Sequence, residues 1–165
     1  MCRLDTFPHA SLSSISAEAF ARVGPLLCLY PSNSGELNGW QRARSVCAES
    51  CVDADGVRES LRLLDDQGRS CLRLFLLPDS DYSVWEALRA RLPCVAGESR
   101  ARACASCALY RFCTRERGWK ASLLRLAPSI DDGGATMGWT AVSEVGRGIA
   151  RRIALAEGVA PPLGA

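Results

Sequence analysis

In "ESLRLLDDQGRSCLRLFLLPDSDYSVWEAL", Glu59 to Leu88, two leucine-rich arms flank a short acidic turn. Leu61 and Leu63 on the first arm, and Leu72, Leu74 and Leu76 on the second, recur at every other position, the spacing that sends one face of a strand to a core. Between them "DDQG", Asp65 to Gly68, supplies a glycine-closed loop, so the segment predicts an antiparallel hairpin. Pro78 lacks an amide hydrogen and ends the second arm. Asp79 or Ser80 is then placed to cap a helix on which Tyr82, Trp85, Leu88 and Leu92 share one face. Leu63, Leu72, Leu74, Phe75, Trp85 and Leu88 are the expected core.

Upstream of this unit, "AEAFARV" followed by Gly24-Pro25 predicts a short first helix, and "LLCLY", Leu26 to Tyr30, a brief apolar strand. "PSNSGELNGW" is rich in turn-forming residues and is expected to be a loop. Residues 43–50 alternate faintly and predict a strand that turns at "DADG", Asp53 to Gly56. Downstream, "WKASLLRLA" has strand character and "PSIDDGGATMG" that of a loop. "SEVGRGIARRIALAEG" predicts a closing helix with Ser143 as cap, and Arg147, Arg151 and Arg152 on a solvated face. Pro161 and Pro162 introduce a tail, residues 159–165, expected to fray. No internal repeat or interdomain linker interrupts residues 1–165, which predict one α+β domain built on an antiparallel sheet.

Composition narrows the function. The 165 residues carry 20 basic and 18 acidic side chains, a net charge of +2 that gives no support for a nucleic-acid partner. No segment approaches the roughly 18 uninterrupted apolar residues of a membrane helix, and the first residues lack the apolar run of a signal peptide. A cytoplasmic location is expected, with no membrane insertion. The single histidine, His9, would have to serve every proposal of a serine or cysteine nucleophile with a histidine base, so catalysis is not the expectation. "DADG" falls short of a calcium loop, and "GRGIARR" lacks the third glycine of a dinucleotide fingerprint.

The order of strand, acidic-glycine turn, strand ending in "RLFLL" and capped helix resembles the sheet core of the HemS/ChuX haem-utilisation superfamily. The pattern that carries it is "LRLLDDQGRSCLRLF", Leu61 to Phe75, with "SVCAESCVDADGVRES" similar to the preceding strand; the resemblance covers about residues 43–92. It implies an α+β fold with a large antiparallel sheet and flanking helices. It also implies a bacterial cytoplasmic protein of haem-iron uptake that carries, transports or traffics haem. Members of the family commonly place a histidine on the iron. His9 lies outside the matching stretch, so no ligand carries over and haem binding is expected to be independent of His9. Tyr82 is a candidate iron ligand, with Tyr30 and Tyr110 also open, and Arg62, Arg69 and Arg73 are candidates to meet the propionates. The competing expectation for those arginines is a solvated strand face. A homodimer stays open.

The segment 94–117 carries a second signal. Cys94, Cys104, Cys107 and Cys113 read C-x9-C-x2-C-x5-C, and four thiolates in that span suit a zinc ion or an iron-sulfur cluster. "CASCALYRFC" is similar to the C-x2-C-x5-C segment of Cas4-type nucleases and ferric-siderophore reductases. The bland alternative is that these cysteines stand in for alanine, as Cys28, Cys47, Cys51 and Cys71 are expected to do in the core.

Overall fold

The computed structural model describes residues 10–12, 17–53, 56–95, 118–128 and 135–162. The strands are β1 (Ala10–Ser11), β2 (Pro25–Pro31), β3 (Ser45–Asp53), β4 (Gly56–Leu64), β5 (Ser70–Leu76), β6 (Cys94–Val95), β7 (Trp119–Pro128) and β8 (Ala135–Trp139). The helices are α1 (Ala17–Val23), α2 (Glu36–Arg42), α3 (Tyr82–Arg89) and α4 (Glu144–Ala156). One sheet runs β1-β3-β4-β5-β2-β7-β8, antiparallel throughout, and the two-residue β6 adds a parallel pairing to β3. The fold is α+β.

The hairpin forms as its alternation predicts, with Leu61 opposite Leu74 and Leu63 opposite Leu72. Its leucines point to one face of the sheet, which α1, α2 and α3 cover; there Phe20, Val23, Leu26, Leu61, Leu63, Leu72, Leu74, Trp85 and Leu88 pack together. All six expected core residues are buried. On the opposite face, Leu27, Leu29, Phe75, Ala121 and Leu123 pack under Ala150, Ile153 and Ala154 of α4. Both faces of β2 and β5 are thereby covered, which is why "LLCLY" and "CLRLF" are buried residue after residue.

Four expectations are corrected. The turn-rich "PSNSGELNGW" holds α2, whose Gly39 lies so close to β5 that a Cβ there would sit 2.6 Å from the Cys71 carbonyl oxygen. The "ATMG" end of the expected loop belongs to edge strand β8. The cap of α3 is Asp81, which accepts from the Val84 N–H, whereas Ser80 donates to the Pro25 carbonyl at 2.5 Å. Finally, Val159 and Pro162 are buried, so the C-terminal tail begins packed rather than frayed. Among the described residues no helix is long and apolar enough to cross a membrane.

Asp79, the other expected cap, performs a longer-range task. Its carboxylate accepts from the Ser143 N–H at 2.7 Å and from the Ser143 hydroxyl at 3.0 Å, while that hydroxyl accepts from the Gly146 N–H at 3.0 Å. The α4 N-terminus is thus tied to the loop before α3. Gly146 is needed there, since a Cβ would fall 1.9 Å from Asp79 Oδ2.

Candidate functional site

The α4 side of the sheet changes character from one edge to the other. Under α4 it is apolar, but on β3, β4 and the near part of β5 it carries Glu49, Arg58, Ser60, Arg62 and Arg73, alternate residues of their strands. Arg62 and Arg73 stand directly opposite one another in the β4–β5 ladder. Two like charges in that register repel, so a bridging anion is required. Glu49 supplies it, accepting from Arg62 Nε at 2.7 Å and from Arg73 at 3.3 Å. Glu157, the residue closing α4, accepts from Arg73 at 2.6 Å and lies 3.8 Å from Arg58. The Arg73 guanidinium also stacks 4.8 Å from the centre of the Phe75 ring, where the polar and apolar halves of the face meet.

Burial sets the electrostatics. The Arg62 and Arg73 side chains are only 5% and 9% exposed, which excludes the solvated strand face considered from the sequence; Arg69, at 64%, does fit it. Burial pushes the Glu49 carboxyl up, but the charges and hydrogen bonds of Arg62 and Arg73 outweigh it and hold the group below the usual carboxylate range. Glu49 is therefore a fixed anion at neutral pH, and the arginines around it are held in place with few rotamers left open.

Two further polar clusters lie on the other face. Glu59, nearly buried, accepts from Trp85 Nε1 at 2.8 Å and from Arg89 at 2.8 Å, which anchors α3. Tyr30 bonds to Ser122 at 3.0 Å, and Ser122 to Glu36 at 3.1 Å, beneath α2. Burial, assisted by the charge of Glu36, pushes the neighbouring Cys28 thiol well up. Burial likewise raises Cys71, to about 11. Neither sulfur is suited to act as a thiolate near neutral pH.

The structure separates the residues singled out from the sequence. Arg62 and Arg73 come together, whereas Tyr82 is the exposed first residue of α3, on the opposite side of the sheet. The charge of Glu86 raises its phenol from the ordinary value. Tyr82 thus does not share a site with the two arginines. Cys94 lies in β6, its backbone paired to Ala48. Cys104, Cys107, Cys113, Tyr110 and His9 lie outside the described residues, among which no group of three or more potential metal ligands assembles. Cys28, Cys47 and Cys71 are buried as expected; Cys51 is exposed instead, because it sits near the hairpin tip beyond the cover of the core. Sequence reasoning missed Glu49 and Glu157. Alternation placed Glu49 on the same face as Arg62, a signal available in "CAES"; nothing local connects Glu157 to Arg73.

No family model matches the chain, and no curated protein does. Among solved structures it is similar to holo-PhuS, a haem-binding protein from Pseudomonas aeruginosa, at 20% identity and a TM-score of 0.39. The likeness covers 57% of this chain and 36% of that one, so the chain spans little more than a third of the protein it matches. A likeness of that size carries no assignment.

Proposed function

We propose that the protein binds haem and serves its transport or trafficking in the cytoplasm of a bacterium that uses haem iron. One observation supports this above others: paired, nearly buried arginines, Arg62 and Arg73, border an apolar floor of Phe75, Leu27 and Leu29 on the same sheet face. An apolar planar ligand with carboxylates at one edge matches that division, its ring on the floor and its propionates at the guanidinium groups. Binding there requires α4 to shift, since Ala150, Ile153 and Ala154 occupy the floor. Arg62 and Arg73 are the propionate partners in this reading; Tyr82, on the opposite side of the sheet, does not reach the iron of a haem held there. The test is titration of the purified protein with haem. A saturable Soret shift that is weakened in Arg73→Ala and retained in Arg69→Ala is the expected result; no shift, or equal shifts in both variants, would sink the proposal.

A second reading rests on the spacing of Cys94, Cys104, Cys107 and Cys113, which suits zinc or an iron-sulfur cluster. Metal analysis of the same preparation separates the two. One zinc ion or four irons per chain, lost in Cys104→Ser with Cys107→Ser, supports the metalloprotein; metal near zero removes it.

A further inference from the structure

Glu157 is an odd residue with which to end a helix. The C-terminal end of a helix carries partial negative charge, so a carboxylate there is repelled by the last carbonyl groups. The last turn of α4 contains no basic residue to offset it. Nor does the backbone need the side chain: the Glu157 N–H donates to the Ile153 carbonyl at 3.0 Å, and the Val159 N–H to the Ala154 carbonyl at 2.9 Å. What the carboxylate does contact is Arg73, at 2.6 Å, and Arg58, at 3.8 Å.

Its surroundings allow it to leave. Gly158 follows at once with φ +75°, a left-handed conformation that turns the chain away from the helix, and Val159 beyond it is buried against the second core. The helix therefore terminates without help from the Glu157 side chain, whose ion pairs to Arg73 and Arg58 instead tie the last turn of α4 to β5 and β4. Arg73 would not be stripped of an anion by that departure, because Glu49 holds its other edge at 3.3 Å.

We infer that Glu157 is an internal stand-in for a ligand carboxylate: it occupies the Arg58–Arg73 position in the free protein and is exchanged for one carboxylate of the bound molecule. The inference rests on the proposal that this face takes a haem-like ligand, and it adds the residue that sets affinity and couples binding to α4. The exchange swaps one carboxylate for another at the same guanidinium groups, so the charge of the site is unchanged. Ligand entry and release of the α4 end are then one event.

The experiment compares haem with haem dimethyl ester, whose carboxylates are blocked, on wild type and Glu157→Gln, with hydrogen exchange of residues 155–159 in the wild type. Removing the internal competitor should tighten haem by about five- to tenfold, the scale of one partly buried ion pair, and leave the ester unaffected. Haem should also speed exchange at the α4 end of the wild type. Equal haem affinity in both proteins, an equal gain for the ester, or unchanged exchange on haem saturation would overturn the inference while leaving haem binding itself intact. Failure of both proteins to bind haem would remove the underlying proposal together with the inference. If Glu157→Gln does not fold, the wild-type exchange measurement decides alone.

Discussion

Replacing Gly146 with alanine should destabilise the protein, although the same change two residues later should stabilise it. Both glycines lie in α4, where alanine is favoured over glycine by about 1 kcal/mol. Gly148 is exposed with nothing within 4 Å of an added Cβ, so Gly148→Ala should realise most of that gain. At Gly146 the methyl would fall 1.9 Å from Asp79 Oδ2 and 3.0 Å from its Cγ. The carboxylate must swing aside, giving up its bonds to the Ser143 N–H at 2.7 Å and hydroxyl at 3.0 Å. These are exposed, charge-assisted bonds worth about 1 to 1.5 kcal/mol each. Losing both outweighs the helix gain by about 1 to 2 kcal/mol, so the two alanine variants should differ by about 2 to 3 kcal/mol in opposite directions. Urea unfolding at a common m-value measures it, and an Asp79→Ala background supplies the control, since Gly146→Ala should there become stabilising. If Gly146→Ala raises the midpoint of the otherwise unaltered protein as much as Gly148→Ala does, the Asp79 tie contributes nothing and the argument fails.

Trp85→Ala should cost about 3 to 5 kcal/mol, because it empties the interior of a large aromatic, and Trp85→Phe a smaller amount through the lost bond to Glu59; an unchanged unfolding midpoint in the alanine variant would take α3 out of the core. Glu49 contributes to the acid limb of stability. Its folded pKa is depressed, so its contribution is present above the ordinary carboxylate range and is lost as pH falls through the lowered value, where Arg62 and Arg73 are left opposed. Glu49→Gln should therefore be less stable at neutral pH and show a shallower decline in acid, and parallel stability curves for the two proteins would contradict this.

What could be read from the sequence was what local chemistry controls. The "LRLLDDQGRSCLRLF" hairpin carries its own alternation and its own turn, and the helix from Tyr82 its own spacing, so both appear where expected. Helix α2 could not be found that way. Asn38 and Gly39 are poor helix formers, and Gly39 lets the backbone of the helix settle on β5. Strand β8 likewise draws its order from β7, with Met137 opposite Leu126. In "PDSDY" three side chains suit a helix cap; which of them caps α3 depends on Asp79 being engaged by Ser143, far along the chain. The candidate site divides in the same way. Arg62 and Arg73 were visible on their strands, but their burial is not a property of strands: it comes from contacts to Glu49 across the sheet and to Glu157 at the end of α4.

The placement of β2 has a kinetic side. This strand lies inside the sheet, hydrogen-bonded to β5 on one side and to β7 on the other, with Leu26 opposite both Leu76 and Leu124. As the polypeptide grows during synthesis, "LLCLY" emerges before both neighbours, the second of them separated from it by about half of the chain. Closing so long a loop is entropically costly before any contact rewards it, so the nascent molecule passes through a stage in which a buried-type strand has an open edge. Such an edge can recruit another chain before β7 arrives, and the yield of folded protein should fall with concentration and recover when synthesis is slow or chaperones are abundant.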